Sequence, residues 1–190
     1  MAAYLTLVVH IALLFDSSIR SRIVQTTAVT EAAAIWRDYG VVLDFGDRGG
    51  AAVCISAFVN RTRAHPDGAS AVLGSTFVGP DSDDHAPPIR IGFDLVDELA
   101  QPSESANAMV HEYAVGTAIG RVLAHEVGHL LLGPPGYHDP DGLMRRQFLT
   151  DDFLPWNRSR YRLALGSIER LRRRMTMLST RGTAAGCAAS

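Results

Sequence analysis

The chain has 190 residues, 47% of them hydrophobic and 20% charged, which is ordinary for a globular protein and too apolar for a disordered one. A net charge of -2 and a pI near 6.4 give no basic field for nucleic acid, although all 18 cationic side chains are arginine. Two cysteines are too few for a disulfide scaffold or a cysteine-built zinc module, and a chain of this length can bury a core without either.

The first element is an apolar run from Leu5 to Phe15. It lacks a basic leader and a small-residue cleavage site, is interrupted by His10, and is far too short to span a bilayer. It reads as a buried β-strand, which favours a cytoplasmic location; read as a signal segment, it would make the protein secreted. Asp16, Ser17 and Ser18 then offer capping chemistry for a helix from about Ile19 to Tyr39. Its apolar positions Ile19, Ile23, Val24, Ala28, Ala32 and Ile35 recur at helical spacing, and Gly40 is a natural stop.

Val41 to Phe45 and Ala51 to Val59 read as strands around an Asp47–Gly50 turn, and Asn60 to Ala69 as an exposed loop. Two more strands are expected at Ala71 to Val78 and Ile89 to Leu95, separated by a Pro- and Asp-rich loop. His65, His85, Asp81, Asp83 and Asp84 in these loops are explained by loop polarity, without the ordered spacing of a calcium site. Past Gln101-Pro102-Ser103 the pattern turns helical as far as Leu132. Gly116, Gly120 and Gly128 lie inside that helix. Each costs about 1 kcal/mol against alanine there, so close approach of another element is expected. Gly133-Pro134-Pro135-Gly136 ends the helix. A last helix is expected from about Asn157 to Met177. The organisation is a single domain over 1–178 with a small-residue tail over 179–190.

The chemistry is concentrated in His125-Glu126-Val127-Gly128-His129. On a helix, positions i and i+4 share one face, so both imidazoles reach one ion. Glu126 is turned about 100° from His125, beside the ion, where it can deprotonate an activated water. A catalytic zinc needs a third protein ligand and an open fourth position. His138, just past the forced reversal, is the preferred third ligand, with Asp139 and Asp141 as oxygen alternatives. Asp139 is alternatively an acceptor that orients an imidazole. His111 and Glu112 stand fourteen residues before His125, roughly 21 Å along the helix, and read as a solvated face. Tyr137 is a candidate donor to a developing oxyanion, and the arginines from Arg170 to Arg174 form a basic helix end.

The run from His125 to Gly133, followed by His138 and by Gly142-Leu143-Met144, resembles the zincin metallopeptidases. Within them it looks most like metzincins, in particular the small bacterial matrixin-like group. The pattern departs from H-E-x-x-H-x-x-G-x-x-H in having its glycine one residue later. Its third histidine also stands thirteen positions after the first instead of ten. The resemblance implies an α+β fold: a twisted mixed β-sheet, a backing helix, an active-site helix carrying H-E-x-x-H, and a C-terminal helix. It implies Met144 as the methionine-turn residue beneath Zn2+, and Gly74, Ser75, Thr76 and Phe77 on an edge strand that pairs with substrate.

The expected activity is therefore that of a monomeric zinc endopeptidase acting on a peptide or protein, with Glu126 as general base and His125, His129 and His138 as ligands. No nucleic acid and no membrane span enter that expectation. The alternatives are a zincin-shaped domain that binds zinc without catalysis, and an enzyme whose third ligand is an acidic residue such as Asp151 or Asp152.

Overall fold

In a computed structural model, which describes residues 6–46, 51, 53–61, 73–76, 88–100, 107–133, 137–153 and 155–180, the apolar N-terminal run forms β1 (Leu7–Phe15). Helix α1 (Arg22–Arg37), β2 (Val41–Asp44), β3 (Val53–Asn60), β4 (Gly74–Thr76) and β5 (Ile89–Gly92) follow. Helices α2 (Phe93–Leu99), α3 (Ala108–Leu132) and α4 (Leu165–Thr180) complete the chain, with two 3-10 segments, Thr150–Phe153 and Pro155–Tyr161, ahead of α4. The architecture is α+β.

The five strands form one mixed sheet in the order β2-β1-β3-β5-β4. The first four pair in parallel, and β4 closes one edge antiparallel to β5, with Gly74 opposite Ile91 and Thr76 opposite Ile89. Period-two alternation decides which face is buried. Leu7, Val9 and Ile11 of β1, Ile55, Ala57 and Val59 of β3, and Ile89 and Ile91 of β5 are all buried. Leu14, Val42, Ser56 and Arg90 are exposed.

The core is completed by α1 and α3. Every residue of α3 from Ala114 to Gly128 is buried, so this helix is wrapped by protein on all sides. A helix so enclosed needs small residues where its neighbours cross. A Cβ on Gly116 would fall 2.7 Å from the Val24 carbonyl oxygen, and one on Gly120 would fall 2.6 Å from that of Ala28. The glycines thus let α1 and α3 meet backbone to backbone, as their cost in a helix interior suggested. Trp36 of α1 locks the pair by donating its indole N–H to the Ala124 carbonyl at 3.0 Å.

Arg121, fully buried on α3, sits in an ionic network. Its Nε donates to Glu31 Oε1 at 3.0 Å and its Nη1 to the Asp152 carbonyl at 2.6 Å, while Arg158 also pairs with Glu31. A buried charge of this kind is tolerated only when paired.

Three expected boundaries are corrected. Asp16 accepts from both the backbone and the hydroxyl of Ser18, which makes a local turn, and the side chain that caps α1 is Ser21. The strand expected over Ile89 to Leu95 stops at Gly92. The apolar residues beyond it belong to α2, which buries Phe93 and Val96 at helical spacing. The last helix starts at Leu165 and not at Asn157, because 3-10 geometry, broken at Asn157, occupies the preceding stretch. The Asp47–Gly50 turn, the loops holding His65, Asp81, Asp83, Asp84 and His85, and the last ten residues of the tail lie outside the described residues. So do Phe77 and the outer ends of the strand expected over Ala71 to Val78. Among the described residues, no helix is long and apolar enough to cross a membrane.

Candidate metal centre

The site begins at the enclosed C-terminal half of α3. Asn107 caps the start of that helix by accepting from the Val110 N–H at 2.9 Å. Gly133, at φ +110°, ends it in a conformation that few side-chain-bearing residues adopt. His125 and His129 lie one turn apart near that end, and the chain then returns so that His138 faces both. The imidazole of His138 stacks on His125 at 5.6 Å between centroids and meets His129 edge-on at 4.9 Å. One nitrogen from each ring lies within 4.8 Å of the other two. Among the described residues, no other set of three His, Cys, Asp or Glu side chains converges in this way.

The turn below is built to hold His125. Gly142, at φ +75°, allows the chain to fold under the helix, and the Leu143 carbonyl accepts from His125 Nδ1 at 2.7 Å. That bond places the ring proton on Nδ1 and leaves Nε2 with its lone pair. Met144 is fully buried, with its sulfur against Gly128 where a Cβ would otherwise stand. The methionine assigned by resemblance therefore underlies the helix between the two histidines. The edge of the His125 ring is closed by Phe148, at 5.2 Å.

The electrostatics suit a cation. Burial holds His125 down to about 4, against the opposing pull of the Leu143 carbonyl, and burial with the neighbouring His138 holds His129 to about 4. Both rings are thus neutral at pH 7, the state that ligation requires. Their Nε2 atoms face one another at 3.0 Å, and Nδ1 of His129 is buried without a hydrogen-bond partner. Lone pairs directed together in this way repel unless a proton or a cation lies among them. Three converging imidazoles are the donor set of a borderline divalent ion such as zinc, so the residues present fit a metal.

Glu126 points toward the sheet edge. Its Oε2 accepts the Thr76 hydroxyl at 2.7 Å, and a Cβ on Gly74 would lie 2.7 Å from its Oε1. Burial raises this carboxyl to about 7, while the Thr76 hydrogen bond pulls the other way. Gly74 and Thr76 were singled out for a role toward substrate; the structure shows that both also border Glu126. Nothing in the sequence alone signals that contact, which depends on how the edge strand lies against α3. Ser75 is the exposed residue of β4.

Other candidates fall elsewhere. The carboxylate of Asp139 is not turned to the imidazoles: it accepts from the Tyr137 hydroxyl at 2.8 Å and from Ser167 Oγ at 2.6 Å. The same bond occupies the Tyr137 hydroxyl proposed for an oxyanion. Asp152 is fully buried and engaged by Arg145, Arg160 and the Leu149 N–H, and neither it nor Asp151 belongs to the converging group. His111, read as solvated, bonds Asp97 at 2.9 Å. It lines an open cleft of about 370 Å³ with Arg20, Arg61 and Phe93.

Fold and site together define an α+β protein with a three-histidine candidate metal centre on a buried helix. No protein-family model matches the chain, and no curated protein matches its sequence.

Proposed function

We propose that the chain is a zinc-dependent metallopeptidase, an endopeptidase of zincin type, whose catalytic domain spans 1–178 and whose substrate is a peptide or protein. The observation that carries the reading is the convergence of His125, His129 and His138 around one point, with Glu126 adjacent in the same helix. Zinc held there by the three imidazoles would supply Lewis-acid polarisation of a carbonyl and acidify water toward a pKa of about 7.

The remaining work falls to the chain. Glu126 takes a proton from the attacking water and passes it to the leaving amine. Without metal, burial raises this carboxyl to about 7, and beside a zinc ion it would be drawn back toward the ionised form that accepts a proton from water. The Thr76 hydroxyl occupies Oε2, which leaves Oε1, beside Gly74, for the water. Among the described residues β4 is the edge strand with no sheet partner on its outer side, where it can add an extended peptide backbone next to Glu126. Leu143, through its carbonyl, keeps the His125 ring in the tautomer that ligates through Nε2.

Glu126→Gln tests the reading, because it keeps the shape and removes the base. The variant is expected to bind zinc like the parent and to lose peptide hydrolysis by about 10²-fold or more. Retained turnover, with contaminating proteases excluded, would refute it.

A further inference from the structure

The connection from the active-site helix to the third histidine is long. Eight residues separate His129 from His138, and a ligand carried past the end of a helix has its position set only by what holds the segment around it. One face of α4 does so on both sides of the connection. The Arg174 side chain lies 3.6 Å from where a Cβ on Gly133 would stand, at the end of α3. The Arg170 guanidinium lies over the Tyr137 ring at 4.1 Å, immediately before His138. Ser167 Oγ donates to Asp139 Oδ2 at 2.6 Å, immediately after it.

These three residues are spaced three and four apart, so they form one stripe on α4. Asp139 is the point where the restraints meet. Its other carboxylate oxygen accepts from Tyr137, and its backbone N–H donates to the Met144 carbonyl at 2.9 Å, within the turn that also holds His125. Ser167 is fully buried and Asp139 is 9% exposed, so these bonds are shielded from competition with water.

We propose that Ser167 and Arg170 of α4 are positioning residues for the metal centre, fixing His138 as third ligand through Asp139 and Tyr137. The inference rests on the three-histidine reading and concerns how the third ligand is held. Outer partners that orient a ligand typically change metal affinity by about 10–100-fold when removed.

The test is zinc affinity, measured by competition with a chromophoric chelator, for the full chain, Ser167→Ala, Tyr137→Phe, His138→Ala and Ser167→Ala/His138→Ala. Ser167→Ala is expected to weaken zinc binding by about 10–100-fold, and Tyr137→Phe to weaken it in the same direction. On the His138→Ala background, Ser167→Ala is expected to cause no further loss, because its effect travels through that ligand. Parental affinity in Ser167→Ala would overturn the proposal, as would losses that multiply in the double variant. A lowered thermal midpoint of metal-free Ser167→Ala with unchanged zinc affinity would show a role in folding only and overturn it equally. Should Ser167→Ala fail to fold, Arg170→Ala and Tyr137→Phe decide together, the first removing the guanidinium over the ring and the second the hydroxyl bonded to Asp139, and parental affinity in both would overturn the proposal. A parent that takes up no zinc, or a His138→Ala variant that binds as the parent does, would instead remove the three-histidine centre, and this proposal with it.

Discussion

The crossing of α1 and α3 sets the height of α3 above the sheet, and Gly120→Ala perturbs it directly. A Cβ there would lie 2.6 Å from the Ala28 carbonyl oxygen and 2.8 Å from Glu31 Cβ. Ordinary contact needs roughly 3.5 Å or more, so the helices must separate by about 1 Å. Neither obstacle can rotate away, as one is backbone and the other is a Cβ whose carboxylate is held by Arg121 and Arg158. Overpacking of a dense core costs about 1–3 kcal/mol, occasionally more, while alanine returns about 1 kcal/mol of helix propensity. The difference spans about 0–2 kcal/mol, and because neither obstacle can yield, the loss is expected at its upper end, near 2 kcal/mol, read as a lower urea midpoint at unchanged slope. Gly166→Ala in α4 is the control of opposite sign. No atom lies within 4 Å of its added Cβ, so it should be neutral or stabilising by up to about 1 kcal/mol. Equal or greater stability in Gly120→Ala would refute the close-crossing account.

Titration of the metal-free protein gives another expectation. His125 and His129 titrate near 4 when folded and near 6.5 when unfolded, so the stability they contribute is present above 6.5 and lost as pH falls toward 4. Glu126 is raised from 4.5 to about 7, so its contribution is present below 4.5 and lost as pH rises through 7. In Glu126→Gln the opposing carboxyl is gone, and the rise in thermal midpoint between pH 4.5 and 6.5 in chelator should be steeper than in the parent; an identical slope would contradict the assignment. Arg121→Met leaves Glu31 buried with Arg158 as its remaining arginine partner and is expected to cost about 1.5–3 kcal/mol by urea unfolding. Arg121→Met/Glu31→Leu should recover part of that loss. Thr76→Val removes a hydrogen bond that favours the ionised carboxylate, so the Glu126 carboxyl of the metal-free protein should titrate higher, as read by NMR.

The parts of the fold legible in the sequence were those with strong periodicity. The β1 run, the apolar spacing of α1 and the interior glycines of α3 each anticipated an element or a contact that is present. Boundaries failed where two signals overlapped. Ile89, Ile91, Phe93 and Leu95 alternate like a strand, but Phe93 and Val96 belong to a helix that begins after Gly92. Asp16 and Ser18 carry capping chemistry but spend it on each other. At the site, His125 and His129 were readable because i, i+4 spacing on a helix is a local geometric rule, and His138 because it follows the reversal that ends the helix. The groups bonded to His125, Glu126 and Asp139 were not. Leu143 acts through its backbone carbonyl, which leaves no trace in residue type, and Thr76 and Ser167 reach the site from elements 50 and 28 residues distant from their partners.

In the proposed centre, three imidazoles and no carboxylate hold the metal. A crystal structure of the zinc-loaded protein, with anomalous scattering recorded at the zinc edge, tests it most directly. The expected result is one ion with a nitrogen of His125, His129 and His138 each at about 2.0–2.1 Å and a fourth position open to solvent. Zinc bound by Asp139, Asp151 or Asp152 in place of His138, or enclosed by a fourth protein ligand, would contradict it.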